Sequence, residues 1–145
     1  MRNLNEYITL NESELGSVRP TNTRELKRLI AQRIVEYGPN CDLNDIDVSR
    51  ITDMSHLFEN SKFNGDISKW NVSNVVNMSY MFYKSKFKGD ISGWNVRKVE
   101  DMGEMFADSK FNGDISKWNV SKVRSMYNMF KDSPLEGYKP RWYIG

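Results

Sequence analysis

The string KFNGDISKWNVS occupies Lys62–Ser73 and recurs unchanged at Lys110–Ser121, with a near copy, KFKGDISGWNVR, at Lys86–Arg97. The copies are spaced by 24 residues without insertion. A strict period of this length limits the fold more than any other property of the chain. A unit so short cannot bury its own apolar side chains, so it must bury them against its neighbours.

Aligned at that period, the apolar residues fall into columns. Phe63, Phe87 and Phe111 share one, as do Ile67, Ile91 and Ile115, and Trp70, Trp94 and Trp118. Val72, Val96 and Val120, then Val75, Val99 and Val123, follow in register. Met78, Met102 and Met126, Met81, Met105 and Met129, and Phe82, Phe106 and Phe130 complete the unit. One step back lies a degenerate first unit, CDLNDIDVSRITDMSHLF, with Leu43, Ile46, Val48, Ile51, Met54, Leu57 and Phe58 in the same columns. One step forward, Leu135 takes the phenylalanine place and Trp142 the tryptophan place. The array is four units over residues 39–134 plus a fragment.

Within a unit, Met78, Met81 and Phe82 have the i, i+3, i+4 spacing of a helix. Asp53, Asn77, Asp101 and Ser125, all residues that cap helix N-termini, stand just before it. A helix of about two turns is therefore expected, ending near Ser85, Ser109 and Ser133. Asp66-Ile67-Ser68, with one apolar residue between polar ones, suits a short strand, and Trp70–Ser73 a turn. Each unit is expected to be a short strand, a turn and a short helix, and the array an α/β repeat solenoid of four coils. Upstream, Thr23–Tyr37 sets Leu26, Leu29, Ile30, Ile34 and Tyr37 on one face and charges on the other. With Gly38-Pro39 as its stop, it is expected to cap the first coil. The domain plan is a flexible segment over 1–22, with at most one helical turn around Leu4 to Ile8, and a single domain over 23–145. Within that domain, 23–38 is the capping helix and 135–145 a C-terminal cap.

Composition excludes several classes. At 145 residues the chain is sized for one domain, and a net charge of +2 is too near balance for a dedicated nucleic-acid binder. The single cysteine, Cys41, rules out an intramolecular disulfide and a cysteine-built zinc site. The opening MRNLNEYITLNESE has no apolar core of a secretory signal, and no run is long enough to span a membrane. A cytoplasmic location as encoded is expected, without membrane insertion.

The string FNGDISKWNVSNVVNMSYMF resembles the repeat of the BspA-like leucine-rich-repeat proteins, a bacterial family of surface-protein type. The likeness runs from about residue 24 to 143 and includes DLNDIDVSRITDMSHLF and the closing PRWY. It implies a leucine-rich-repeat-like right-handed solenoid that binds other macromolecules. It implies no catalytic residue.

The columns also sort the candidate sites. The tryptophans could stack on sugars, but their place among the apolar columns makes them core anchors with Phe63, Ile67, Trp70, Phe82, Phe87, Trp94, Phe106, Phe111, Trp118, Phe130 and Trp142. Asp42, Asp66, Asp90 and Asp114 form an acidic column that would be a cation ladder, or would accept backbone N–H groups in its own turns. A calcium loop needs several oxygen ligands close in sequence, and each unit offers one acid and a serine. Ser68, Ser92 and Ser116 have no recurring histidine to activate them, and the lone His56 lies in a variable column and is expected to be solvated. The Asn-x-Ser matches at Asn71, Asn77 and Asn119 arise from the repeat itself. Where units differ, a partner can impose its choice. Those places hold Tyr80, Tyr83, Lys88, Arg97, Lys98, Arg124 and Tyr127, beside a constant line of Lys62, Lys86 and Lys110. The expected function is non-catalytic: a protein–protein interaction module facing a host or competitor protein, or alternatively a carbohydrate or cell-surface adhesion module. No cofactor, metal or nucleic-acid partner is expected.

Overall fold

The structure, a computed structural model, describes residues 18–145. Residues 1–17, with the expected turn at Leu4 to Ile8 and most of the segment expected to be mobile, lie outside the described residues. Val18 is buried in the core cluster and makes an isolated parallel bridge with Ile46, its C=O accepting the Asp47 N–H at 2.7 Å.

Helix α1 spans Thr23–Tyr37. Its start is fixed by Asn22, whose side chain accepts the Glu25 N–H at 2.9 Å, while the Glu25 carboxylate accepts the Thr21 N–H at 2.8 Å. This reciprocal pairing satisfies donors that a helix start leaves open. It stops at Gly38, whose φ of +91° a residue with a Cβ would resist and whose N–H returns to the Ile34 C=O. Leu26, Leu29 and Ile30 are buried and Ile34 is partly so, whereas Tyr37 stands exposed. The buried place that periodicity did not reveal is Arg33, which forks onto Asp45 with two bonds of 2.8 Å. Its aliphatic stem packs while its planar head finds a matching carboxylate.

The α/β repeat solenoid of strand, turn and helix does not form, and the leucine-rich-repeat architecture falls with it. Among the described residues α1 is the one α-helix, joined only by a 3-10 turn at Pro134–Gly137, and no residue lies in a named strand. The expected strand at Asp66-Ile67-Ser68 contributes a single isolated bridge, Asp42 to Asp66. The expected helix over the methionine columns is a run of linked turns.

Hydrogen bonding explains that outcome. A helix from Asn77 would send the Met81 N–H to the Asn77 C=O. That carbonyl is instead occupied by Met54 of the preceding unit at 2.8 Å. Every second N–H of the segment leaves its own unit: Met78, Tyr80, Phe82 and Lys84 donate to Asp101, Gly103, Met105 and Ala107 of the next unit, at 2.9–3.0 Å. The N–H groups between them, from Met81, Tyr83 and Ser85, turn back three residues to Met78, Tyr80 and Phe82. Two of these three turns have a left-handed third residue: Tyr80 and Lys84 have φ of +56° and +55°. The same pattern puts His56, Asn60, Glu104, Asp108, Asn128 and Asp132 at positive φ. Each costs on the order of 1 kcal/mol relative to ordinary backbone, and inter-unit main-chain bonds offset it.

The other apolar pairs follow the same rule. Ile67 and Trp70, Val72 and Val75, and Met78 and Met81 are the ends of three turns closed by i to i+3 bonds of 3.0–3.2 Å. The units thus repeat Asx-Φ-x-x-Φ, with Φ apolar, three times over, as DISKW, NVSNV and NMSYM in one copy, with Ser125 in place of the last Asx in the fourth unit. Both ends of each turn face inward, so i, i+3 spacing serves turns as well as helices.

The core is a set of aromatic stacks running through the units. Phe58, Phe82, Phe106 and Phe130 lie ring over ring at 5.5, 5.5 and 5.9 Å. Phe63, Phe87 and Phe111 follow at 6.0 and 6.2 Å. Each tryptophan Nε1 donates to a carbonyl of the unit before: Trp70 to Leu43, Trp94 to Ile67, Trp118 to Ile91 and Trp142 to Ile115, all within 2.9–3.1 Å. The indole thereby buries its rings without leaving its polar edge unpaired. Among the described residues no helix is long and apolar enough to cross a membrane.

Candidate functional site

The repeated polar residues are occupied in making corners. Asp66 accepts the Ser68 N–H at 2.9 Å and the Ser68 hydroxyl at 2.7 Å, and Asp90 and Asp114 do the same with Ser92 and Ser116. Asn71, Asn77 and Asn119 hold the N–H groups of Ser73, Ser79 and Ser121, which accounts for the Asn-x-Ser matches. Ser61, Ser85 and Ser109 hold the N–H groups of Phe63, Phe87 and Phe111. These are Asx and Ser turns, local bonds that fix the chain direction at each corner.

The carboxylates respond accordingly. The Asn44 side chain first, and then the Ser68 N–H and hydroxyl, hold Asp66 down to about 2. The Ser92 hydroxyl and N–H lower Asp90, and those of Ser116 lower Asp114. In each case the ionised form is favoured by donors pointed at it. The aspartate column therefore supplies backbone acceptors, the second of the two roles open to it in the sequence.

The glycines beside those aspartates answer to close approach. A Cβ on Gly65 would stand 1.8 Å from the Cys41 carbonyl oxygen, and one on Gly89 2.6 Å from the Phe87 ring and 3.1 Å from the Gly65 carbonyl. Cys41 holds the equivalent place in the first unit, which has no earlier unit beneath it. Burial pushes its thiol up from the usual range, which disfavours the reactive thiolate.

What remains outward is distributed around the unit. Tyr80 lies flat on His56, with centroids 4.8 Å apart and 5° between planes, and meets Tyr83 edge-on at 5.4 Å. The Glu59 carboxylate accepts from His56 Nδ1 at 3.2 Å, and Lys84 sits 5.3 Å from the Tyr83 ring centre. The Glu104 charge, foremost, pushes the Tyr80 hydroxyl up. Tyr127 is exposed on the same run of turns, two units further on. A second group lies at the valine corners, where Lys98 bonds Asn74 at 3.0 Å and Arg124 approaches Glu100 at 3.7 Å. Glu100 and Arg124 line a shallow concavity with Ser121, Lys122 and Val123. Arg97 stands at the same corner, its N–H held by Asn95, and Lys88 is on the segment between aromatic columns, its N–H held by Asn64. Among the described residues no hydrogen bond, ion pair or ring contact joins the tyrosines to Arg97, Lys98 or Arg124.

The sequence reading missed the part of His56. It is half exposed, yet it extends the tyrosine cluster into the first unit. The signal was present, because His56 and Tyr80 are one period apart and same-column rings stack throughout.

A family model matches residues 26–138, from within α1 to the end of the 3-10 turn. The chain belongs to the DUF285 family of Mycoplasma proteins of unknown function. DUF285 membership thus spans the whole array of units. Neither the curated proteins nor the solved structures include a match to the chain.

Proposed function

We propose that this DUF285 chain is a non-catalytic protein-binding module whose partner surface is the partly exposed tyrosine cluster with its neighbouring cations. The carrying observation is the His56–Tyr80–Tyr83 cluster, held on main-chain-bonded turns whose outward side chains differ from unit to unit. The left-handed places dictate the backbone there and leave the side chain free, so His56, Tyr80, Glu104 and Asn128 can each be set by a partner. Tyrosine and arginine are the residue types that anchor protein interfaces. In this reading Tyr80, Tyr83 and Tyr127 are the anchors, and Lys88, Arg97, Lys98 and Arg124 supply charge around them. The carbohydrate alternative loses its most natural platform, since Trp70, Trp94 and Trp118 are buried.

The test is affinity capture from the native cell extract with the full chain and with Tyr80, Tyr83, Lys98 and Arg124 all changed to alanine. A specific protein retained by the native chain and lost by the variant supports the patch. The same protein retained equally by both removes it.

A further inference from the structure

We propose, building on the protein-binding reading, that a lysine face adjoining the tyrosine cluster, and sharing Lys88 with its surface, binds an extended acidic segment of the partner. That face consists of Lys84, Lys86 and Lys88 in one unit, with Lys62 and Lys110 one unit to either side of Lys86.

Its geometry follows from burial and pairing. Along residues 84–88, lysines are exposed while Ser85 and Phe87 between them are buried, so Lys84, Lys86 and Lys88 share the outer side. Main-chain bonds from Lys86 to Ser61 at 3.1 Å and from Lys110 to Ser85 at 3.2 Å lay the three units side by side. Lys62, Lys86 and Lys110 then form a column across them, and the five lysines make a cross.

Nothing in the fold accounts for the lysines. Among the described residues none of the five side chains makes an ion pair, and Lys84 alone lies over a ring, that of Tyr83. Neighbouring outward columns vary, as Asn64, Lys88 and Asn112 do, yet the Lys62 column keeps lysine in three successive units. Like charges one unit apart repel, and an anionic ligand would remove that penalty. Of the acids in adjoining columns, Asp66 and Asp90 are committed to their own turns, while Asp108 holds the place of Lys84 one unit on.

The ligand must run across the units. Chains joined by main-chain hydrogen bonds stand about 4.7–4.9 Å apart, and alternate residues of an extended peptide lie about 6.6–6.8 Å apart on one side. The long lysine side chains take up the difference, so acids at every second position reach the lysine column over three units. A single nucleic-acid strand would also need aromatic faces on which to stack bases. Here Tyr80 is covered on one face by His56, and Glu59 and Glu104 border the cluster. A membrane surface would be expected to meet apolar side chains beside the lysines, and the buried phenylalanines of this segment offer none.

Fluorescence anisotropy tests the proposal with the full chain and three labelled peptides of equal length: alternating Glu and Ser, a block of Glu followed by a block of Ser, and alternating Lys and Ser. The alternating acidic peptide is expected to bind at low ionic strength and to weaken at least about tenfold at physiological salt. The block peptide should bind about threefold more weakly, because only part of it can keep register. The K62E/K86E/K110E chain, checked for native near-ultraviolet dichroism, should lose the acidic peptide and gain the basic one. Absence of binding by the native chain, equal binding of block and alternating peptides, or unchanged binding by the variant overturns the proposal. So does tighter binding of an oligothymidylate or of phosphatidylserine vesicles. The tyrosine-patch variant of the capture experiment leaves these lysines intact, so failure of the acidic-peptide test with capture still tyrosine-dependent rejects this inference alone.

Discussion

The two ends of the array are closed by different means. At the N-terminal end α1 lays Leu26, Leu29 and Ile30 over the first unit, and Val48 and Ile51 there are as buried as their interior equivalents. At the C-terminal end the cover is the Pro134–Gly137 turn with Trp142 and Tyr143, which are themselves only partly buried. The valines show the consequence. Val72, Val75, Val96 and Val99 are no more than 1% exposed, whereas Val120 and Val123, in the same columns, are only partly buried. Identical residues in identical register differ because burial is supplied by the next unit, and a short tail supplies less of it than a helix or another unit. Stability in such a stack is a nearest-neighbour property.

The strongest way to break this comparison is to remove one indole from each environment. Trp94→Ala is expected to cost about 3–5 kcal/mol, since ring burial and the bond to Ile67 both go. Trp142→Ala should cost less than half of that in the same urea titration. Equal losses would show that the ends are as well packed as the middle.

The glycine column gives the next effect. Gly65→Ala forces a Cβ to within 1.8 Å of a carbonyl oxygen and is expected to destabilise by about 3 kcal/mol. Gly93, exposed at a corner with nothing within 4 Å of a built Cβ, should accept alanine with a gain of about 0.5 kcal/mol. A tolerated alanine at position 65 would mean that the units stand further apart than described.

Acid should then act on the corners of three successive units. Asp66, Asp90 and Asp114 are held below the ordinary carboxylate range in the folded chain. Their contribution is therefore complete above the unfolded value of about 4 and is lost as pH falls through the folded values. Thermal melts should be flat from neutral pH to about 5 and fall steeply towards 2, and Ser68→Ala with Ser92→Ala and Ser116→Ala should flatten that fall. A pH-independent midpoint would refute the Asx corners.

The smallest effect separates backbone from side chain. Lys84, at φ +55°, should gain about 0.5–1 kcal/mol on replacement by glycine. Lys86, on ordinary backbone two residues away, should lose a few tenths. Stabilisation of neither would contradict the left-handed turn that closes each methionine segment.

Much of the core was legible because period and polarity report burial directly. The phenylalanine, tryptophan, valine and methionine columns all point inward, and Trp142 reaches its place although it follows a divergent tail. The candidate surface was legible only as a set of variable positions. That Tyr80 and Tyr83 touch each other and His56, while Lys98 and Arg124 belong to another corner, depends on where each turn directs its third residue. Arg33 was hidden for a related reason, since a charged residue is buried only where a partner such as Asp45 is brought to it.

By itself the sequence determined the repeat length, the inward columns, the capping helix with its Gly38 stop, and the aspartate turns after Gly65, Gly89 and Gly113. Those features rest on side-chain chemistry and on bonds between residues a few places apart. Only the tertiary structure decided that each unit is a chain of turns rather than strand and helix. Met78 and Met81 have a spacing that either conformation satisfies, and local propensity does not separate the two. The choice is made by the Tyr80 and Phe82 N–H groups, which find their carbonyls in the next unit and not one turn back along their own. An acceptor more than twenty residues away in sequence cannot be read from a local pattern, and it exists only once the units have stacked.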